Sequence, residues 1–496
     1  KAALEQVDAV SWIPEWGHTR IHNMIAERND WCISRQRIWG VPLPIFYCEA
    51  CGEALITADS IAAVAKAFRQ GGSDVWWSKP AADLLPAGTR CACSHTAFRK
   101  ETDIMDVWFD SGSSHVAVLQ GREELAWPAD LYLEGSDQHR GWFQSSLLTA
   151  VATEGAAPYR AVLTHGFIVD GNGNKMSKSV GNTISPADVM KRFGADILRL
   201  WAASADYRGD IRLSDEILEQ TADAYRKIRN TCRFLLGNLA DFNPEAQVPY
   251  ARLAEIDRWL LDRLARLDER VRRAYERYEY HVLYHAVHNF CAVDLSGFYL
   301  DVVRDTLYCD PKESAARRSA QSAMYLTLEV LTKLLAPVLA FTADEIWEHV
   351  PGAEGSVHLQ RFAELPAAWR DDDLAERWSG LQEVRSLASR AIERARQAKA
   401  IRSSAGAEVW LELDDAARRT LAGFTPEALR ALFLVAAVHL DEALPAEGWR
   451  ETEGANVAVA RPTDQARCER CWRHEPEVGA LPEHPELCRR CAAALG

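Results

Sequence analysis

Two pairs of closely spaced cysteines near the end of the chain carry its most specific chemical signal. Cys468 and Cys471 are separated by two residues, Cys488 and Cys491 likewise, and sixteen residues lie between the pairs. Four thiolates at this spacing can bind Zn²⁺ tetrahedrally and leave no position for water, which is typical of a structural site. A tail of about 30 residues has too little core to fold alone, so metal binding would stabilise it. The sequence predicts a zinc ribbon; two unrelated thiol pairs are the alternative.

A second group of cysteines gives a weaker version of the same signal. Cys48 and Cys51 have the usual spacing, but only one residue separates Cys91 from Cys93. The second pair therefore has one residue too few for a standard knuckle, and His95 could replace one ligand. We predict a second zinc site here, with a degenerate or metal-free cluster as the alternative.

A glycine-rich polar loop between residues 170 and 179 could bind phosphate groups. Lys175 and Lys178 lie three residues apart, and Ser177 and Ser179 place small hydroxyl groups beside them. Such donors suit the β- and γ-phosphates of a nucleotide, because they supply charge and hydrogen bonds without bulk. A solvated basic loop is the alternative.

The overall composition is that of a folded multidomain protein. The 496 residues contain 57 basic and 71 acidic side chains, so the formal net charge is −14, and 48% of the residues are hydrophobic. Whole-chain disorder and binding of nucleic acid through bulk positive charge are therefore excluded, and any nucleic-acid contact must use a local basic face.

Several features bear on where the protein works. The apolar stretch 323–343 contains Glu329 and Lys333, so we interpret it as a buried helix and expect no membrane segment. Twelve cysteines without a signal peptide indicate thiols or metal sites in a reducing compartment, which we expect to be the cytoplasm. Because the sequence starts with Lys1, we also expect it to be a piece of a longer protein.

The elements that must position these residues follow an α/β rhythm and then a helical one. A short strand ends near Gly135, a helix covers 138–153, a strand covers 161–169, and Ser185 and Pro186 open another helix. This order predicts a parallel nucleotide-binding sheet. From about residue 206 the periodicity is that of a helical bundle, with Ser214 capping its first helix.

The predicted fold class is therefore multidomain, with α/β and all-α parts. We expect an α/β domain with a cysteine-containing insertion, a helical domain, a small α/β region with a basic helix, and the zinc ribbon. The predicted boundaries are 1–205 with the insertion 48–100, then 206–365, 366–455 and 456–496.

Four sequence motifs resemble one enzyme family. Lys175-Met176-Ser177-Lys178-Ser179 matches the KMSKS signature of class I aminoacyl-tRNA synthetases, and the segments 30–40, 106–113 and 133–142 accompany it. Together they resemble the bacterial isoleucyl-tRNA synthetases along essentially the whole chain. The resemblance implies isoleucine–tRNA ligase activity, in which ATP activates L-isoleucine to isoleucyl-adenylate and the acyl group moves to tRNA(Ile). It also implies the second half of a Rossmann-type catalytic domain followed by an anticodon-binding bundle.

The resemblance assigns roles to individual residues. Lys178 matches the lysine that contacts ATP, and Lys175 accompanies it as a catalytic residue. Glu134 matches a residue that contacts the aminoacyl-adenylate, with Asp137 and Gln138 assisting. Trp108 and Trp142 match positions lining the isoleucine side chain. For each acidic residue a helix cap is the alternative, and a tryptophan chosen blindly is more often a core residue.

Two family features lie outside this sequence. The His-x-Gly-His signature and the editing domain precede these motifs in the family, so we expect a carboxyl-terminal half that does not form adenylate by itself. The resemblance further implies Mg²⁺ with ATP, structural zinc, tRNA(Ile) and L-isoleucine as partners, and a monomeric full-length enzyme. Another class I ligase for a branched aliphatic amino acid, or a non-catalytic tRNA-binding protein derived from a synthetase, are the alternatives.

Three clusters of basic residues are candidate contacts for tRNA phosphates, with solvated surfaces as the alternative. The first lies on the opening helix of the bundle and comprises Arg226, Lys227, Arg229 and Arg233. The second lies on the later basic helix and comprises Arg385, Arg390, Arg394, Arg396, Lys399 and Arg402. The third surrounds the ribbon cysteines and comprises Arg467, Arg470, Arg473, Arg489 and Arg490.

Overall fold

The computed structural model of the protein describes every residue except Asp441 and Gly496. The chain divides into two compact units, each described by itself below. The first unit comprises residues 1–176 and 207–212, and the second comprises residues 177–206 and 213–496. The predicted combination of α/β and all-α parts is confirmed, while the division into four domains stays a prediction.

The first unit combines short strands with helices. Its α-helices are α1 (Ala2–Ala9), α2 (Trp16–Ala26), α3 (Ala58–Gly71), α4 (Val75–Ser78), α5 (Ala81–Leu84), α6 (Val107–Gly112) and α7 (Trp142–Glu154). Its strands are β1 (Ser11–Ile13), β2 (Ser34–Arg35), β3 (Phe46–Cys48), β4 (Ala54–Leu55), β5 (Phe98–Lys100), β6 (Ile104–Met105), β7 (Tyr132–Gly135), β8 (Ala161–His165), β9 (Ile168–Val169) and β10 (Ile211–Arg212).

A parallel sheet with the order β1-β8-β7 lies at the centre of the first unit. The middle strand β8 buries three consecutive residues, Val162, Leu163 and Thr164, as expected for a parallel strand covered on both faces. Glu134 on β7 pairs in register with Thr164 on β8. The sheet therefore brings the carboxyl ends of β7 and β8 side by side.

The strand predicted over 161–169 is interrupted at Gly166. A Cβ atom at Gly166 would lie 2.2 Å from the carbonyl oxygen of Gly209, so only glycine permits this close approach of two backbones. The predicted helix over 138–153 also differs, because a 3₁₀ turn (Ser136–Arg140) precedes α7.

A small subdomain within the first unit carries the amino-terminal cysteines. Its antiparallel sheet has the order β4-β3-β5 and packs with α3, α4 and α5 around Phe46, Trp76 and Leu84. Thr57 caps α3 by accepting a hydrogen bond from the Ser60 backbone, and the Ser60 side chain caps in return.

The second unit is mainly helical. Its α-helices are α8 (Pro186–Phe193), α9 (Ala195–Ser204), α10 (Asp215–Gly237), α11 (Glu255–Glu276), α12 (Tyr280–Asn289), α13 (Leu300–Cys309), α14 (Ala315–Leu335), α15 (Ala340–Trp347), α16 (Asp372–Gln397), α17 (Asp415–Leu421), α18 (Pro426–Phe433) and α19 (Arg489–Ala493), and a π-helix (Phe290–Tyr299) joins α12 to α13. Its strands are β11 (Ala407–Glu412), β12 (Ala437–Leu440), β13 (Trp449–Glu453) and β14 (Asn456–Pro462), in the sheet order β12-β11-β14-β13.

Helix caps and a tryptophan pair organise the bundle. The Ser214 hydroxyl accepts a hydrogen bond from the Ile217 backbone and caps α10 as predicted, whereas the Ser185 side chain makes no capping hydrogen bond. In the core, the rings of Trp259 and Trp378 stack with their centroids 5.5 Å apart. In the part of the chain that the structure describes, no helix is long and apolar enough to cross a membrane.

Candidate functional site

Polar side chains predicted to contact the adenylate lie at the carboxyl end of β7. Glu134 is exposed near the end of this strand, and the following 3₁₀ turn carries Asp137 and Gln138. The Gln138 amide donates to an Asp137 carboxylate oxygen over 3.0 Å, and its carbonyl oxygen accepts the Trp142 backbone N–H, also over 3.0 Å. Because both groups of this amide are engaged, its orientation is fixed. The three side chains therefore form a polar rim at the edge where open α/β sheets bind ligands.

The two predicted pocket tryptophans are brought to the same region. The Trp142 ring stacks on Tyr132 with a centroid separation of 4.0 Å, and its indole N–H lies 3.1 Å from both the Ser111 carbonyl oxygen and the Ser114 hydroxyl. The Trp108 ring is 40% exposed and packs so closely over Gly141 that a Cβ atom there would lie 2.7 Å from it. An apolar wall thus stands next to the polar rim.

Asp106 positions Trp108 and was not among the predicted site residues. One carboxylate oxygen caps α6 by accepting the Trp108 backbone N–H over 3.1 Å. The other accepts hydrogen bonds from the Trp31 indole (3.0 Å) and the Arg35 guanidinium (2.6 Å). Burial opposes ionisation, but these hydrogen bonds lower the pKa of Asp106. The signal that could have found it is an aspartate directly before a short helix, inside a motif already singled out.

The loop with the two predicted phosphate-binding lysines follows β9. Asp170 folds its first part by accepting hydrogen bonds from the backbone N–H groups of Asn172 and Asn174. Lys175 is exposed, with its ammonium group 4.7 Å from the centre of the Phe167 ring. In the second unit, Lys178 is exposed within a turn closed by the Gly181 N–H and the Ser177 carbonyl oxygen. Both lysine residues are exposed, as binding of an anionic ligand would require.

The carboxyl-terminal cysteines come together as the ribbon prediction requires. The sulfur atoms of Cys468, Cys471, Cys488 and Cys491 all lie within 4.8 Å of one another, and Cys471 and Cys488 are 3.8 Å apart. Tetrahedral coordination with Zn–S bonds of about 2.3 Å requires sulfur separations of about 3.8 Å. Burial by itself would raise the pKa of Cys468, but hydrogen bonds from backbone N–H groups lower this pKa to about 7. This donor set fits zinc.

The amino-terminal cysteines form a second cluster of the same kind. Cys48 and Cys93 are 3.6 Å apart, Cys51 and Cys91 are 3.5 Å apart, and all four sulfur atoms lie within 4.8 Å of one another. The backbone N–H of Cys51 contributes most to lowering the pKa of Cys48 to about 6. The shortened spacing therefore still yields four thiol ligands, and this cluster also fits zinc.

Part of the predicted basic face on α16 is engaged in contacts within the protein. Arg385 is half-buried, lies 4.9 Å from the Phe298 ring and donates to the Leu432 carbonyl oxygen. Three further arginines of this face pair with glutamates, two of them on β13: Arg390 with Glu453, Arg394 with Glu451, and Arg396 with Glu393. Arg390 and Arg394 thus connect the helix to β13, whereas the Arg396 pair lies within α16. These three side chains stay 44–58% exposed. Apart from Arg385, the face therefore remains a candidate contact for tRNA.

A groove with exposed aromatic rings runs along the second unit. Its widest part, about 760 Å³, is lined by Tyr308 of α13 and by Arg402, Trp472 and other residues of the ribbon region. Two smaller cavities share lining residues with it and with each other. Phe234 of α10 lines both, Lys227 lines one of them, and Arg233 and Tyr308 line the other. We call these three cavities the aromatic groove. Tyr308 is 57% and Trp472 66% exposed.

Comparison with known families and curated proteins shows which family the chain belongs to. Residues 1–214 match tRNA synthetases class I (I, L, M and V), residues 257–411 match the anticodon-binding domain of tRNA ligase, and residues 467–494 match the zinc finger found in FPG and IleRS. The isoleucine–tRNA ligase of Desulfitobacterium hafniense is 54% identical over 100% of this chain, and that of Geobacter sulfurreducens is 53% identical over 99%. The chain belongs to the class I aminoacyl-tRNA synthetases. It spans about half the length of these relatives, covering 54% of each.

Solved synthetase structures share the fold. The LeuRS of Agrobacterium radiobacter K84, solved as a ternary complex with tRNA and LeuAMS, aligns with a TM-score of 0.52 at 19% identity and covers 69% of this chain and 43% of its own. The methionyl-tRNA synthetase of Mycobacterium tuberculosis, bound by methionyl-adenylate, aligns with a TM-score of 0.50 at 19% identity and covers 69% of this chain and 59% of its own. The family membership predicted from the four motifs is confirmed.

Proposed function

We propose that this chain is part of an isoleucine–tRNA ligase, working in the cytoplasm, that activates L-isoleucine with ATP and transfers it to tRNA(Ile). The observation that carries the proposal is the convergence of Glu134, Asp137 and Gln138 with Trp108 and Trp142 at the carboxyl end of β7. A polar rim next to an apolar wall suits an amino acid that has a charged backbone and an aliphatic side chain. A non-catalytic tRNA-binding protein is not favoured, because the relatives that match this chain along 99–100% of its length are named isoleucine–tRNA ligases.

The proposed chemistry needs alignment and charge compensation rather than a general base. The isoleucine carboxylate is already ionised near neutral pH and attacks the α-phosphate of ATP, so that a new C–O–P bond forms and pyrophosphate leaves. Glu134 accepts hydrogen bonds from the substrate ammonium group or a ribose hydroxyl. Lys175 and Lys178 compensate the charge that develops on the phosphates, with Mg²⁺ entering as the metal complex of ATP.

The pocket sets the limit of amino-acid selection. Trp142 is held by ring stacking and by its indole N–H, so the wall it offers is rigid. An apolar pocket distinguishes isoleucine from valine by only about 1–3 kcal/mol, a limit for which isoleucyl-tRNA synthetases are the standard example. We therefore expect valine to be activated measurably.

The aromatic groove is the proposed site for unpaired bases of the tRNA anticodon loop. Bases in single-stranded RNA stack on exposed aromatic rings, while basic side chains hold the phosphates. Tyr308 and Trp472 supply the rings, and Lys227, Arg233 and Arg402 supply the charges. The match of residues 257–411 to an anticodon-binding domain supports this proposal.

The activation step can be tested by joining this chain to the amino-terminal half of the Desulfitobacterium hafniense relative and measuring ATP–pyrophosphate exchange. We expect exchange that depends on L-isoleucine, and none from the chain by itself. Because Glu134 contributes a charge-assisted hydrogen bond, Glu134→Gln should reduce exchange about 10–150-fold. Glu123→Gln changes an exposed glutamate of the same unit and is the control. Equal exchange by the two variants, or exchange only with another amino acid, would contradict the proposal.

A further inference from the structure

The zinc ribbon, residues 467–494, contacts the end of α13 through arginines that neighbour its cysteines. Arg470 directly precedes Cys471, and its Nη1 atom donates to the Cys309 carbonyl oxygen over 2.6 Å. The same nitrogen lies 3.5 Å from the sulfur of Cys491. One guanidinium group therefore touches both a metal-binding cysteine and the last residue of α13.

A second arginine makes a similar connection from the other pair of cysteines. Arg490 lies between Cys488 and Cys491 in sequence and forms a two-point ion pair with Asp305 of α13, with distances of 2.5 and 2.7 Å. Arg473 also reaches Asp305, over 2.9 Å. The Asp305 side chain is only 14% exposed, so this carboxylate depends on the ribbon for its counter-charges.

The charge of a loaded metal centre explains why these contacts lie beside the cysteines. Four thiolates and one Zn²⁺ ion carry a net charge of −2, which is costly to bury unless donors surround it. Guanidinium groups that contact ligand sulfur atoms offset this charge and fix the direction of the ligands, as second-shell groups do in other metal sites. The same groups are held in place by Asp305 and the Cys309 carbonyl oxygen.

We propose that Arg470 and Arg490 are positioning residues that couple zinc binding in the ribbon to its attachment on α13. Metal binding and attachment then stabilise each other, and loss of zinc releases the ribbon from the end of the helix. Because the ribbon supplies Trp472 to the aromatic groove, zinc also maintains that groove. This inference rests on zinc binding and not on the ligase reaction, so the two can fail independently.

The first test measures how fast zinc leaves the ribbon. Cys48→Ser and Cys51→Ser are introduced throughout, so that a chromophoric chelator reports the ribbon site alone. We expect Arg470→Gln and Arg490→Gln to release zinc at least 10-fold faster than the parent chain. Arg467→Gln and Arg489→Gln are matched controls, because Arg467 forms an ion pair with Glu469 inside the ribbon and Arg489 is exposed beside Arg490. Equal release rates for Arg490→Gln and Arg489→Gln would overturn the proposal.

Two further measurements separate coupling from a local defect. Asp305→Asn leaves the ribbon sequence intact, so faster zinc release from this variant supports the coupling and an unchanged rate overturns it. Hydrogen exchange of the full chain, read in peptides from α13, should rise when zinc is removed with a chelator. Unchanged exchange there would mean that the ribbon stays attached without metal. If Arg490→Gln fails to fold, Arg490→Lys takes its place because it retains the charge. We then expect zinc release that is faster than from the parent chain, by a smaller factor.

Discussion

Removing the exposed rings of the aromatic groove should weaken tRNA binding without unfolding the protein. More than half of the surface of Tyr308 and of Trp472 is accessible, so each ring can stack on a base and contributes little to the core. Base–aromatic stacking is worth about 1–3 kcal/mol per base, which corresponds to about a 5–150-fold change in Kd. We therefore expect Trp472→Ala and Tyr308→Ala each to weaken binding of tRNA(Ile) by a factor within this range.

The basic residues of the groove should change a different quantity. Lys227 and Arg233 offer charge to phosphates, so Lys227→Gln and Arg233→Gln should each lower the slope of log Kd against log salt by about 0.7–0.9. The two ring substitutions should leave this slope unchanged, because a stacked base releases no counterions. Filter binding of labelled tRNA(Ile) at several KCl concentrations measures both the affinity and the slope.

An exposed ring outside the groove supplies the control. Phe341 of α15 is 69% exposed, lies in the same unit and does not line the groove, so Phe341→Ala removes a comparable apolar surface. Its affinity for tRNA(Ile) should match that of the unaltered chain. If Trp472→Ala and Phe341→Ala bind equally well, stacking in the groove does not contribute to recognition, and the anticodon-loop proposal fails.

Two other substitutions test the buried carboxylate of the bundle and the first cysteine cluster. Burial raises the pKa of Asp257 from 3.8 to about 6, although hydrogen bonds from Ser319 and Tyr299 oppose the shift. The folded protein therefore binds this proton more tightly than the unfolded chain. The resulting stabilisation is complete below about pH 4 and is lost as the pH rises through 6. Asp257→Asn removes this titration, which is worth about 3 kcal/mol. The free energy of unfolding in urea should therefore decrease less between pH 4 and pH 7 for the variant than for the unaltered chain. An identical pH dependence of the two proteins would refute the reasoning. Cys48→Ser should reduce bound zinc from two ions to one per chain and increase hydrogen exchange only within the insertion 48–100. An unchanged ratio of zinc to protein would show that this cluster is not a zinc site.

Local spacing was enough to predict the metal clusters and the start of α10. Two residues between cysteines place both sulfur atoms on one side of a tight turn, so Cys468 and Cys471 meet regardless of the rest of the fold. Ser214 caps α10 because its hydroxyl reaches a backbone N–H three residues ahead. These features depend on contacts within one turn, which the sequence order itself displays.

Contacts between distant parts of the chain could not be predicted in this way. The ribbon arginines looked like phosphate contacts, yet Arg490 pairs with Asp305, which lies 185 positions earlier. Arg35 and Asp106, 71 positions apart, meet only because β2 and β6 pair. An arginine on a helix looks the same in sequence whether it faces solvent or an acidic residue from another element. Only the way in which whole elements pack shows whether such an arginine faces solvent or an acidic partner.

The proposed apolar wall of the first unit is held rigidly, and the proposed chemistry explains why. Trp142 is fixed by Tyr132, by its indole hydrogen bonds and by Gln138, which engages its backbone N–H and ties the apolar wall to the polar rim. Selection between aliphatic side chains depends on such a wall, because a pocket that adapts cannot exclude the wrong shape. In the loop that carries the lysines, Asp170 accepts two backbone N–H groups, and Lys175 forms a β-bridge with Val169 of β9. In the proposed reaction a triphosphate must enter and pyrophosphate must leave, so the proposal requires donors that can close on the substrate and open again.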